Sequence, residues 1–373
     1  MTNNIVTVDA RCLSHSNRDG IFNFLFDALK FIVPKRRDLK FILLSNRPFN
    51  PIVKTQLGRI ENIAFYEDLK SINNSHLWFI LKLPAIIRRL KPKWHWSPAV
   101  TFPLFLPKET RKLITVHDMV YHDFRKTMNF KTKLSNIFFH DYSIRNADKI
   151  WSVSEYTKNR IIERYKKIKC NDIVVGAGID FSKYKNIDQR RKNEKKESLE
   201  ITDNFALFVG TMEPRKNLIF LLHLWNRRND DLNLIVVGAS GWKMNNEISA
   251  MINSESFRSN KIHFLGFIDD DKLLNLYKTC RLFISTSLNE GFGLPMLEAL
   301  AFGKPVIASN NSAIAEVVGK NGELINTWNV NDWNKGIDYL LYKTPEINFN
   351  DLKRKFDWNI INTYLAKVLW LKK

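Results

Sequence analysis

The stretch Ser285-Thr286-Ser287-Leu288-Asn289-Glu290-Gly291-Phe292-Gly293-Leu294-Pro295-Met296-Leu297-Glu298-Ala299-Leu300 joins an apolar run to a helical pattern. Residues 281–285 read as a buried strand. Residues 295–302 read as a helix with Pro295 in its first turn, where the missing N–H removes no hydrogen bond. Gly303 closes that helix, and the strand at 305–308 follows. A glycine loop between a strand and a helix start brings bare backbone N–H groups and a positive helix end to a ligand. Diphosphate and sugar hydroxyls suit such a loop. Glu290 precedes it and Glu298 lies about one turn into the helix, so the two carboxylates can face one mouth from different depths. Carboxylates accept hydrogen bonds from vicinal hydroxyls, as acidic residues do for ribose in dinucleotide-binding folds.

Working outward, the same alternation recurs. Strands are expected at 205–209, 232–237 and 261–265, and helices at 218–225 and 271–279. In the first half, 5–8, 41–44, 113–116 and 150–153 read as strands, with helical segments at 21–32 and 76–90 between them. Strands alternating with helices imply parallel, doubly wound sheets. Residues 186–200, NIDQRRKNEKKESLE, are charged and lack an apolar face, as a linker or surface insertion would. The expected architecture is α/β, with a domain at 1–185, the linker at 186–200 and a second domain at 201–355. Two such domains face to face leave a cleft at the carboxyl ends of their strands, where ligands bind.

Three further segments carry chemistry. Gly210-Thr211-Met212-Glu213-Pro214-Arg215-Lys216-Asn217 also joins a strand to a helix. Arg215 and Lys216 at a helix start can neutralise a diphosphate leaving group without a metal. His117 and Asp118 end an apolar run, which places a polar pair at a strand's carboxyl end; a buried histidine satisfied by its neighbours is the plainer alternative. Gly20 follows the loop after the first strand, a position that faces phosphates in doubly wound folds. Asp269-Asp270-Asp271 resembles a metal site, but its place before Lys272-Leu273-Leu274 suits a helix N-cap better. Residues 76–90, HLWFILKLPAIIRRL, combine an apolar face with a basic end, which fits either an interfacial helix or a core helix with a cationic tip.

A chain of 373 residues exceeds what one compact core usually holds, in keeping with two domains. Its three cysteines, Cys12, Cys170 and Cys280, are too scattered for a disulfide framework or metal cluster and fit a reducing compartment. The opening residues read as a strand rather than a leader, and no run of about 18 apolar residues occurs. The net charge is +20, of which residues 1–180 hold +15, with 31 Lys/Arg against 16 Asp/Glu. That asymmetry points the first half toward an anionic partner: anionic lipid, a lipid-linked pyrophosphate or nucleic acid.

Taken together, these motifs resemble the metal-independent retaining glycosyltransferases of family four, also called glycosyl transferases group 1, with the GT-B fold. The run from Gly266 to Leu324 carries the resemblance, with Gly303-Lys304-Pro305-Val306-Ile307-Ala308-Ser309 and Glu316-Val317-Val318-Gly319 beside the Glu290–Glu298 segment. Gly210 to Asn217, Gly238-Ala239-Ser240-Gly241-Trp242 and Val153-Ser154-Glu155-Tyr156-Thr157-Lys158 are similar too. Val8-Asp9-Ala10-Arg11 and Thr115-Val116-His117-Asp118 resemble mannosyl- and rhamnosyltransferases of bacterial surface polysaccharides.

By that resemblance, Arg215 and Lys216 bind the donor diphosphate and Glu298 the nucleotide ribose. Glu290 and the backbone of Gly291, Phe292, Gly293 and Leu294 contact the donor sugar, His117 lies near the transferred sugar, and His117, Asp118 and Glu290 are the expected catalytic residues. Configuration is retained by front-side displacement, in which a donor phosphate oxygen takes the acceptor's proton. The implied reaction is hexose transfer from a nucleotide-diphosphate sugar, GDP-mannose being favoured. The acceptor is a growing lipid-linked glycan of O-antigen, lipopolysaccharide or capsule. No cofactor or metal is implied, and the enzyme would sit in the cytoplasm against the inner face of the cell membrane. A last helix over 356–373 would pack back on the first domain. The family often shows a second glycine two residues after the place of Gly20, where this chain has Phe22. The competing readings are another GT-B enzyme, such as a sugar-nucleotide epimerase or phosphorylase, and a non-catalytic anion-binding protein. The full set Glu290, Glu298, Arg215 and Lys216 argues against a pure binder.

Overall fold

In the computed structural model, residues 4–15, 19–70, 72–119, 130–185, 204–239, 245–252, 257 and 261–370 are described. The expected linker over 186–200 and the segment Ser240-Gly241-Trp242 lie outside them. The chain forms two compact units: residues 1–180 with 353–373, and residues 181–352.

The first unit holds seven parallel strands: β1 (Ile5–Asp9), β2 (Lys40–Ser45), β3 (Ile63–Glu67), β4 (Trp94–Ser97), β5 (Arg111–Val116), β6 (Lys149–Ser152) and β7 (Ile173–Val175), in the order β3-β2-β1-β4-β5-β6-β7. The second holds six: β8 (Phe205–Val209), β9 (Asn233–Val237), β10 (Ile262–Gly266), β11 (Leu282–Ser285), β12 (Val306–Ser309) and β13 (Glu323–Ile325), in the order β10-β9-β8-β11-β12-β13. In both sheets the order reverses once, between β1 and β4 and between β8 and β11. Right-handed crossovers force the helices on the two sides of that point onto opposite faces, so the loops part there and leave a crevice at the strands' carboxyl ends.

Aromatic side chains fill the first unit's core. Trp96 stacks on Trp151 at 5.4 Å between ring centres, and Phe24 meets Trp151 edge-on at 4.9 Å. The terminal helix Trp358–Val368 belongs to this unit: Trp358 packs on Phe24 and Trp370 on Phe41. Ile179 bridges Asp357, which ties the segment's start to the same body. The second unit packs Leu221, Leu222 and Trp225 from one helix, and Trp333 and Ile337 from another, against Leu234, Val236 and Ile307 of the sheet.

The segment 75–90 is not the single α-helix its pattern suggests. It runs as Ser75–Leu77, a π-helical turn Trp78–Lys82, and Leu83–Leu90. Pro84 offers no N–H to the preceding turn, and the wider turn accommodates that loss. Strands β3, β7 and β13 have no clear counterpart in the apolar runs. They are short edge or near-edge strands, half-buried in part, so their sequences carry little continuous hydrophobicity. Among the described residues no helix is long and apolar enough to cross a membrane.

Candidate functional site

The two motif loops of the second unit emerge from β8 and β11, the strands on either side of its reversal point. Backbone and side-chain bonds tie them together. The Leu288 N–H donates to the Arg215 carbonyl at 2.7 Å. The Thr286 hydroxyl donates to the Lys216 and Asn217 carbonyls at 3.1 and 3.2 Å.

Their side chains converge on Glu290. Arg215 Nη1 donates to its Oε2 at 2.9 Å, and the Ser287 hydroxyl to its Oε1 at 2.7 Å. The Lys216 ammonium also donates to Oε1. Arg215 spans further, to both carboxylate oxygens of Glu213 at 3.2 Å and to the Asn289 carbonyl at 3.2 Å. Glu290 and Lys216 are both buried. Burial alone would raise the Glu290 pKa, but the charges of Lys216 and Arg215, with hydrogen bonds from Lys216 and Ser287, outweigh it and set the value at about 2. This carboxylate stays ionised and acts as a fixed anion holding two cations, not as a proton carrier at neutral pH. Gly210 lies close beside Lys216: a Cβ there would stand 3.1 Å from the lysine Cε, a tight contact.

Gly293 caps the helix Leu294–Ala301 with φ of +109°, in the left-handed region, and no side chain caps that helix. The backbone angle calls for glycine, while a Cβ at 293 would meet only the flexible end of Met296, its Cε 2.7 Å away. Gly291, Phe292 and Gly293 are buried and Leu294 is half-buried, which keeps this backbone turn compact at the helix start.

Glu298 lies on that helix in a different environment. The Tyr184 hydroxyl reaches its Oε1 at 3.4 Å. The buried Tyr277 hydroxyl also bears on it, close enough to favour its ionised form while falling short of full hydrogen-bond geometry. Burial dominates: Tyr277, Lys183 and Tyr184 offset it only partly, and the pKa rises to about 7. The site thus holds two acidic groups pushed apart, one ionised throughout and one titrating near neutrality.

The remaining candidates, apart from Asp269 in the second unit, sit in the first unit. His117 follows β5, with Nε2 2.7 Å from the Pro98 carbonyl and its ring edge-on to Phe24 at 4.9 Å. Burial lowers its pKa, so it is a neutral imidazole held by a carbonyl and an aromatic ring. Asp118 beside it is half-buried and its charge favours the imidazolium. Gly20 begins the helix Gly20–Ile32, and a Cβ there would meet nothing within 4 Å. Asp19 caps this helix by accepting the Phe22 N–H at 2.8 Å, so an anion at this helix start would meet a carboxylate. Phe22, which stands where a second glycine is common, is a buried core residue. Asp269 is the N-cap of Asp270–Thr279, accepting the Lys272 N–H at 2.8 Å.

A polar cluster beside β1 was given no site role in the sequence reading, although Val8-Asp9-Ala10-Arg11 was among the segments that carry the resemblance. Asp9 holds Arg11 by two bonds, at 2.8 and 2.7 Å, and Arg11 also donates to the Ser75 carbonyl at 2.8 Å. His95 on β4 is fully buried, 3.0 Å from the Thr7 hydroxyl, and burial brings its pKa to about 4. An alternating Asp-x-Arg at a strand end is the one signal that could have found it.

Two doubly wound units of this strand order, the second with a cation pair and an uncapped glycine turn at its reversal point, have the architecture of GT-B glycosyltransferases. Residues 189–355 match the family model for glycosyl transferases group 1. It is 28% identical over 258 residues to the serotype-specific mannosyltransferase WbdA of Escherichia coli, covering 64% of this chain and 31% of that protein. The chain thus spans about a third of the length of that relative. It is 25% identical over 297 residues to the O-antigen chain mannosyltransferase RfbU of Salmonella typhimurium, covering 78% of this chain and 79% of that one. Among solved structures, Anabaena HepE in complex with UDP and glucose superposes with a TM-score of 0.70 at 19% identity, covering 98% of this chain and 99% of that chain, a likeness of fold.

Proposed function

We propose that this protein is a retaining hexosyltransferase that moves a sugar, with GDP-mannose the favoured donor, onto a lipid-linked glycan at the inner face of the cell membrane. The observation that carries the reading is the buried clamp of Arg215 and Lys216 on Glu290 at the second unit's reversal point. A diphosphate leaving group needs positive charge held ready where negative charge develops, and these two cations provide it without a metal. The uncapped helix start at Gly293 adds a positive dipole end. Glu298, ionised above about 7, can accept hydrogen bonds from a ribose diol. Glu290, held ionised with a pKa of about 2, is too weak a base to take the acceptor's proton at neutral pH, in keeping with a donor phosphate oxygen accepting it. The mannosyltransferase relatives support mannose, and the O-antigen chain on which RfbU acts supports a lipid-linked acceptor.

A thermal-shift panel of GDP-, UDP-, dTDP- and ADP-sugars tests the donor site, because a ligand that binds only the folded state raises its stability. GDP-mannose is expected to give the largest shift, and Lys216→Ala to abolish it. A shift of equal size in Lys216→Ala would overturn the site.

A further inference from the structure

We infer that the first unit carries a docking surface for anionic lipid, built from the segment 75–90 and the loop tip at Phe105. It extends the proposed transfer to a lipid-linked acceptor by naming the surface that meets the bilayer, and takes its biological purpose from that reading. The π-helical turn sorts the segment's side chains onto two faces. Trp78, Phe79, Leu83, Ile86 and Ile87 go inward, packed with Leu44. Leu77, Ile80 and Leu81 go outward and are 50%, 47% and 59% exposed. These three are spaced i, i+3, i+4, one face of a helix. An apolar face turned to water beside a filled apolar core is not explained by packing.

Phe105 adds to it. The ring is 82% exposed, and its backbone φ of +59° lies in the left-handed region that a bulky residue seldom adopts. Strain of this kind persists only where the surrounding structure over-determines it. The neighbouring Leu106 packs against the same cluster that holds Trp78 and Leu83, so the tip and the helical segment rest on one piece of core.

Charge selects the partner. Residues 70–112 contain nine Lys/Arg and a single acidic residue, Glu109. Lys82, Arg88 and Arg89 are exposed on the segment itself, and neither Lys82 nor Arg88 has an acidic partner among the described residues. Apolar side chains at the tip with cations flanking them match a bilayer interface whose headgroups are anionic.

The test is co-sedimentation of the full chain with phosphatidylglycerol-containing vesicles and with pure phosphatidylcholine vesicles, at low and high salt. No sugar donor is needed, so a failure here is separate from a failure of the transferase reading, which the nucleotide panel tests. The chain is expected to sediment with the anionic vesicles, less so at high salt. Arg88→Gln should weaken partition about fivefold, the effect of one surface cation. Ile80→Asp with Leu81→Asp should abolish it. Phe105→Asn is the discriminating variant: asparagine tolerates the left-handed backbone, so it should raise thermal stability while weakening partition. Tyr342→Asp, at a 93% exposed aromatic of the second unit, should change neither. Wild-type protein that stays in the supernatant, sediments equally with neutral vesicles, or keeps full partition in the Ile80/Leu81 and Phe105 variants would overturn the inference. So would light scattering showing a dimer that the Ile80/Leu81 variant dissolves.

Discussion

Replacing Glu290 by glutamine tests the clamp at its centre. Its pKa falls from the ordinary 4.5 to about 2 in the folded chain. At about 1.4 kcal/mol per pH unit, the folded environment favours the ionised form by roughly 3 kcal/mol. The folded-state value is depressed, so this stability is present above about 4.5 and is lost as pH falls toward about 2. Glutamine keeps the shape but has one acceptor oxygen, so it can accept at the Ser287 position or at the Arg215 position but not at both, and it leaves Lys216 buried beside a neutral partner. The expected cost at neutral pH is about 3 kcal/mol, in the range for a broken buried pair. Urea unfolding of wild type and Glu290→Gln across the acid range measures it. The gap between the two curves should be widest at neutral pH and close as the pH falls toward about 2. A diphosphate ligand should recover part of the loss, because its oxygens replace the missing carboxylate as a partner for the two cations, while turnover remains low. Curves that run parallel at all pH, or a neutral-pH cost below about 1 kcal/mol, would refute the reasoning that Glu290 is an ionised anchor.

The other expectations concern the same loops. Glu298 has a raised folded pKa of about 7, so it costs stability as pH rises from about 4.5 through 7; Glu298→Gln should melt higher than wild type in mildly alkaline buffer and alike in acid, and equal melting at both would contradict it. Nucleotide affinity should strengthen as Glu298 ionises through that same range, and isothermal titration across pH reads it. Tyr184→Phe removes a hydroxyl that favours the ionised carboxylate, so the midpoint of that affinity profile should move to higher pH. Gly293→Ala must hold an unfavourable left-handed backbone angle, so chemical unfolding should show a loss of about 1–3 kcal/mol.

Much of the fold was legible because buried parallel strands leave apolar runs, as in Leu234 to Val237 and Val306 to Ala308. The Glu290 loop was legible because its glycines and Pro295 mark a strand-to-helix turn by local chemistry. What stayed hidden is tertiary. Ser287 could be seen three residues before Glu290, but not that its hydroxyl reaches the carboxylate. Tyr184 and Tyr277 meet Glu298 across more than a hundred and about twenty residues of chain, beyond any periodicity. The Asp9–Arg11 pair and the buried His95 look in sequence like ordinary strand-end polarity, and only the pairing of β1 with β4 brings Thr7 to His95. At Pro84 the helical period held while the hydrogen-bond pattern did not, which is how the π-helical turn escaped the reading.

The measurement closest to the central claim is sugar transfer itself. Purified wild-type chain and Lys216→Ala are incubated with radiolabelled GDP-mannose and membranes bearing lipid-linked glycan, and label is counted in the lipid fraction. The account predicts transfer by wild type with release of the nucleoside diphosphate, the anomeric configuration of the donor kept in the product, and loss of transfer in Lys216→Ala. Transfer undiminished in Lys216→Ala, or a product of inverted configuration, would contradict it.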